Sequence, residues 1–428
     1  MTRKIGPVLA TGLVAGNIVG SGVFLLPATL AAVGSISLVG WVIATLGAFA
    51  TTAVFARLGA ISGSPEGLVA YVGEGLGRFA GFATAVTYWM GAWVGAVAIA
   101  TAVAGYFAVF VPALGSPLPL ALTAVGAIWL FTLLNLVGPR AASRFSSLSL
   151  VAGIIPLVFI GVAGWAWFDP KVFAGSWNVS GTSGPAAVRT AMISVFWAYT
   201  GFESAAVVSA VVKDPRRDVA IATYAGTALA AVIYIAASAV VMGLAPAREL
   251  AASTAPFALV AGRMLGPGAA FAVAAFALAK TAGTLCGWVL VSAQSARAGA
   301  NSHLVPGRFA GERPPRRILV GIAVAMSVVA LASVSPTLGG QFRSIINVST
   351  VWCVIPYALC CVALWRLAKG GWGERALAAV AFAFNVWLLS TSDRPTVLFS
   401  LALAAAIVVL WFAAARGTAR AGIEGRGA

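Results

Sequence analysis

The sequence predicts an all-α integral membrane protein of about twelve spanning helices, and three observations carry that prediction. Hydrophobic residues make up 61% of the 428 and charged residues only 9%, against roughly 25% charged in a soluble domain. Mean hydropathy is +0.99. Apolar runs of about 20 residues, the length that crosses a bilayer as a helix, recur from end to end. The sustained apolar–polar alternation of a membrane β-barrel is absent.

Taken in order, the first expected span covers 6–33, behind Met1-Thr-Arg-Lys4. That start imitates a signal peptide, but the apolar run is too long and lacks a convincing cleavage site, so a retained helix is expected. Spans 36–57 and 79–111 flank SPEGLVAYVGEGLGR (64–78), whose glycines lack the Lys-[Ser/Thr] of a phosphate-binding loop. Spans 117–138 and 145–168 complete a first half. Spans 186–212, 218–244, 268–296, 317–336 and 343–366 form a second. Two further spans, 375–391 and 395–415, and a tail at 416–428 end a single transmembrane domain, 1–428.

A net charge of +16 invites a nucleic-acid partner, but the distribution of charge excludes one. With the N-terminus cytoplasmic and twelve alternating spans, 20 basic residues fall on the inner side and 6 on the outer, with Lys280 inside a span. That asymmetry is the positive-inside pattern and puts both termini in the cytoplasm. The basic surface is expected to face anionic lipid headgroups. The four cysteines, Cys286, Cys353, Cys360 and Cys361, lie within spans and imply no disulfide framework.

Two spans interrupt themselves. GNIVGSGVFLLPA (16–28) places Gly20-Ser21-Gly22 near the middle of span 1. SVFWAYTGFESAAVVSAVV (194–212) places Thr200-Gly201 near the middle of span 6, with Glu203 just beyond. Irregular backbone survives in hydrocarbon only beside protein or a polar cavity. Gly16-x-x-x-Gly20 alone is equally compatible with close helix packing. Paired breaks at corresponding positions of two halves point instead to a transporter of inverted repeats. Half-helix N-termini offer N–H groups to a carboxylate, and the opposing carbonyls receive an ammonium.

These stretches, with FWAYTGFESAAVVSAVVKDPRRDVAIAT (196–223), GWVLVSAQSARA (287–298), LNLVGPR (134–140) and SWNVSG (176–181), resemble the amino-acid/polyamine/organocation superfamily. The likeness is to its bacterial basic amino-acid/polyamine antiporters, the arginine/agmatine antiporters among them, and runs along essentially the whole chain. The resemblance implies a LeuT-type fold of ten core helices plus two, a homodimer in the bacterial inner membrane, and exchange of an amino acid for its decarboxylated amine. It also implies roles for single residues. Ile18, Ser21 and Gly22 match the backbone that binds the substrate's carboxylate and amine, and Thr200 the unwound part of span 6. Trp197 matches the tryptophan closing the periplasmic side, Trp288 one stacking below the substrate side chain, and Ser349 a hydroxyl near its far end. Tyr88, Glu203 and Tyr357 match gating positions, Glu203 being tied to pH response. Ala96 and Ile99 stand where the arginine exchanger presents an asparagine and a methionine, and Val69 stands for a tyrosine. Arginine specificity is therefore not implied; a smaller or less polar substrate side chain is.

Of eleven acidic residues, Glu203 alone lies deep in a span, which makes it a functional candidate and a proton-sensing one. Lys280 lies eight residues before Trp288, about two helical turns. Three readings stand for it: a partner of Glu203 or second titrating group, a cation disfavouring dibasic substrates, or a lysine snorkelling to water. Most of the fourteen tryptophans, including Trp41, Trp129 and Trp411, suit interfaces and packing.

No enzyme constellation is visible. His303 is the single histidine and has no thiol cluster for a metal site, and FSSLSL (145–150) lacks a neighbouring histidine base. No catalytic residue, metal or cofactor is expected. The expected function is a secondary antiporter for amino acids or their amines. A proton-coupled uptake permease of the same fold is the alternative, and a channel or transport-silent sensor a third class.

Overall fold

The computed structural model describes residues 6–20, 22–62, 67–204, 215–301, 316–368 and 371–424, and among these the regular structure is helical throughout. Eight segments are long and apolar enough to cross a membrane as continuous helices: Ser37–Ser62, Arg78–Phe107, Pro117–Val137, Arg144–Trp167, Ala220–Leu244, Pro267–Ala293, Leu338–Leu367 and Arg394–Phe412. They match eight of the twelve expected spans. The ninth expected span is the 17-residue helix Arg316–Ala332, and the eleventh is Trp372–Leu389. The first and sixth are interrupted. Pro7–Ile18 is followed by a 3₁₀ turn, Gly22–Phe24, and a short helix, Leu26–Ala31. Gly184–Trp197 is followed by a 3₁₀ turn, Phe202–Ser204, and the expected continuation at 205–212 lies outside the described residues.

Sequence explains the helix starts. Pro7, Pro117, Pro139 and Pro256 sit in the first turn, where the missing N–H has no intrahelical partner to lose. Within the spans, hydroxyls that would be costly in hydrocarbon bond back to the carbonyl four residues earlier, as Thr51, Thr87, Thr101 and Thr132 do. Asn135 donates its amide to the Phe131 carbonyl at 2.8 Å and the Cys286 carbonyl at 3.0 Å, a polar tie between two spans.

Burial separates centre from rim. In the spanning window of Arg78–Phe107, 89% is buried, against 11% in Arg394–Phe412, whose outer face is apolar and suited to lipid. The central Arg78–Phe107 helix packs against Leu338–Leu367 and Pro267–Asn301, while Pro215–Leu244 runs along Pro7–Ile18. Ser37–Ser62 and Leu338–Leu367 pack on the interrupted Gly184–Trp197 segment. Backbone bonds also tie the segment after the first break to the loop before the sixth span. Ser35 and Ile36 N–H groups donate to the Ser176 and Trp177 carbonyls at 2.9 and 2.8 Å, and Val179 N–H to Val33 at 3.1 Å. All four cysteines are buried free thiols.

Candidate functional site: a cavity between two interrupted helices

At the first break, helix Pro7–Ile18 ends in a tight turn. Val19 has φ −69° and ψ 68°, and Gly20 N–H donates to the Ile18 carbonyl at 2.6 Å, the geometry of an inverse γ-turn. The next helical turn begins at Gly22, whose missing side chain is required: a Cβ there would lie 2.0 Å from Cζ3 of Trp197. Ser21 lies outside the described residues. At the second break the α-helix tightens after Trp197. Thr200 N–H and hydroxyl both donate to the Trp197 carbonyl, at 3.1 and 2.7 Å. The chain then reverses at Gly201, whose φ of +108° suits only glycine without strain.

Glu203 caps this reversal. Its Oε2 accepts the Gly201 N–H at 2.9 Å and the Tyr357 hydroxyl at 2.8 Å, while Oε1 accepts the Tyr88 hydroxyl at 2.7 Å. Two phenols from two different helices therefore satisfy a carboxylate that would be costly alone in the bilayer. The Tyr357 ring is held in turn by Phe55 and Phe202, at centroid distances of 5.3 and 5.2 Å.

Between the breaks lies a cavity of about 50 Å³, room for a few waters. Of the expected residues, Ile18, Gly22, Tyr88, Ile99, Trp197, Thr200, Glu203, Trp288 and Ser349 line it. Tyr357 reaches it only through Glu203. Ala96 is buried but off the lining. The stripe of Arg78–Phe107 that faces the cavity is Tyr88, Gly91, Ala92, Gly95 and Ile99, a helical repeat from which position 96 is rotated away. Ser349 donates to the Gly91 carbonyl at 2.8 Å across this stripe.

Lys280 is also buried and off the lining; its aliphatic stem packs into the notch at Gly153. Both oxygens of Glu203 are bonded to tyrosines, and among the described residues no carboxylate forms an ion pair with Lys280. The pairing of Lys280 with Glu203 considered from sequence is therefore absent.

Sequence reasoning missed Tyr234. This buried phenol, in helix Pro215–Leu244, lines the cavity and donates to the Ile18 carbonyl at 2.5 Å, with the Ala198 carbonyl 3.1 Å away. One hydroxyl thus meets the carbonyl ends of both interrupted helices. Its only sequence signal is a single tyrosine amid AVIYIAAS (231–238). Thr284 and Cys353 also line the cavity without having been anticipated. Among the described residues no cluster of three His, Cys, Asp or Glu side chains is placed to hold a metal.

A polytopic helical bundle with a small cavity at two paired helix breaks is the arrangement of a membrane carrier. The chain belongs to the amino acid permease family, whose model matches residues 5–422, and its relatives lie in the basic amino-acid/polyamine antiporter branch. It is 36% identical over 372 residues to the cadaverine/lysine antiporter of Escherichia coli (strain K12), covering 85% of this chain and 84% of that one. It is 34% identical over 371 residues to the putrescine transporter PotE of the same strain, covering 86% and 84%. With PotE of Haemophilus influenzae it shares 33% identity over 371 residues, covering 86% and 85%. The family is one of transporters, not enzymes.

Proposed function

We propose that the protein is a secondary antiporter of the bacterial inner membrane that exchanges an amino acid, basic or related, for its decarboxylated amine by alternating access. In this reading twelve spans form one domain. Residues 6–168 and 186–366 are inverted five-span repeats of the LeuT type, 375–415 add two helices, and both termini are cytoplasmic. The working unit is a homodimer in contact with anionic lipid.

The observation that carries the reading is the convergence of the Ile18 and Ala198 carbonyls beside a carboxylate held by two tyrosines. The carbonyls receive the cargo's ammonium, and the N–H of Gly22, where a helical turn resumes, receives its carboxylate, a role that resemblance alone extends to Ser21. Trp197 closes the periplasmic side. Trp288, Tyr88 and Tyr357 close the other, and protonation of Glu203 turns one acceptor oxygen into a donor and frees the phenol that holds it. Ser349 and Ile99 bound the cargo's side chain. The Gly91, Ala92, Gly95 and Ile99 wall presents no amide or thioether, which supports an alkyl-ammonium cargo over a guanidinium. The names of the relatives, cadaverine/lysine and putrescine, agree with such a cargo.

The test is counterflow with the purified protein in liposomes preloaded with labelled lysine. External cadaverine or putrescine is expected to accelerate label release, with arginine less effective. If external cargo leaves release unchanged while an imposed pH gradient drives uptake, obligate exchange is wrong and a proton-coupled permease replaces it. Absence of saturable flux with lysine, ornithine, arginine, their amines and neutral amino acids removes the carrier reading.

A further inference from the structure

Tyr234 is 1% exposed, and its ring is fixed by Trp41 and Tyr199 at centroid distances of 5.2 and 5.7 Å. Tyr199 is itself anchored, its hydroxyl 2.6 Å from that of Thr45. The phenol therefore projects from a continuous helix through a rigid aromatic cluster, whereas the two carbonyls it meets belong to interrupted helices. The Ile18 carbonyl already accepts Gly20 N–H at 2.6 Å, so the Tyr234 hydroxyl completes its second lone pair. In a water-poor interior that bond matters because a carbonyl left unpaired there is costly.

Resting on the antiporter reading, we propose that the Tyr234 hydroxyl stands in for the cargo's ammonium and thereby sets how strictly influx is coupled to efflux. A phenol carries one proton and two lone pairs, so the same oxygen donates to the carbonyls or, turned about its C–O bond, accepts from an ammonium between them. With an ammonium in place, the ammonium bridges the two breaks. Without one, the hydroxyl bridges them, so the closed form through which the carrier must pass stays accessible unloaded. Unloaded passage is what allows net release alongside exchange. Tyr234 acts through the two backbone carbonyls and is a positioning residue with a kinetic signature of its own.

The decisive measurement compares two rates in liposomes preloaded with labelled lysine: release into cargo-free buffer and release against external cadaverine. Tyr234→Phe keeps the ring and removes one oxygen. It is expected to slow net release about tenfold, the weight of one hydrogen bond to a buried carbonyl, and to slow exchange less, so that the ratio of exchange to net release rises. Placing 3-fluorotyrosine at 234, a stronger donor that keeps the oxygen, should shift the ratio of exchange to net release the opposite way. It also carries the test if the phenylalanine variant fails to fold. An unchanged ratio, or equal loss of both rates, reduces Tyr234 to packing and overturns the proposal. A wild-type protein that shows no cargo-stimulated release sinks the antiporter reading instead, and this inference with it.

Discussion

The carboxylate of Glu203 accepts from Tyr88, Tyr357 and its own loop at Gly201, so its hydrogen-bond partners among the described residues are all donors. Glu203→Gln keeps the shape but turns one oxygen into an NH₂ group, and one phenol must then rotate away. Exchange by this variant is expected to retain some cargo binding and lose most of its pH dependence. A pH series matching wild type would remove Glu203 from any proton-sensing role. Lys280 gives a contrasting expectation, because its stem packs at Gly153 rather than lining the cavity. Lys280→Met preserves the stem and removes the charge, so the ratio of lysine to neutral amino-acid uptake should stay within about twofold. A larger change would make the ammonium part of selectivity despite its position.

Helix ends set the next level. Gly22 starts the turn after the first break under the Trp197 indole, so the two interrupted segments meet closely there. Gly22→Ala forces the indole out and is expected to reduce exchange by tenfold or more, in line with the 1–3 kcal/mol typical of overpacking. Adding Trp197→Leu, which removes the colliding ring, should restore the stability lost to the alanine, read by thermal unfolding in detergent. Asp393 caps helix Arg394–Glu424, accepting Thr396 N–H at 2.9 Å, and also accepts from Asn347 at 3.3 Å. Asn347 in turn accepts from Ser194 on the sixth span, so a polar chain joins this cap to an interrupted helix. Burial pushes the Asp393 carboxyl up, but bonds from Thr396 and Asn347 and the Arg343 charge outweigh it, leaving the group below the usual carboxylate range. Its stabilising effect is thus full above the ordinary carboxylate value of about 4 and is lost as pH falls through the lowered one. Asp393→Ala should cost about 1 kcal/mol at neutral pH, a deficit that closes only in stronger acid.

At the scale of the molecule, the buried Arg78–Phe107 helix and the exposed Arg394–Phe412 helix mark the axis and the rim of the bundle. Around that axis, continuous helices carry Tyr88, Tyr234, Trp288, Ser349 and Tyr357, and the interrupted helices carry the backbone groups they meet. This division suits alternating access, in which segments broken at mid-depth hinge against a stiffer frame. The lopsided basic residues predict an orientation with both termini inward. A protease-cleavable tag appended after Ala428 should be protected in right-side-out vesicles and cleaved in inverted ones. Cleavage in the first preparation alone would reverse the assignment of every loop.

Class and the positions of both breaks were legible in the sequence, because hydropathy and Gly20-Ser21-Gly22 or Thr200-Gly201 are local features written in neighbouring residues. The conspicuous acid, Glu203, was legible for the same reason. What it bonds to was not readable from spacing alone: its phenol partners lie 115 and 154 residues away, and resemblance marked them only as gating positions. Tyr234 lies 216 residues from the carbonyl it meets and was marked only as a lone tyrosine in an apolar run. The rotation of the third span, which turns Gly91 and Gly95 to the cavity and Ala96 away, was equally hidden, since a helix buried on every side has no polar face to betray its direction. Tertiary packing alone decided which side chains complete the two broken ends.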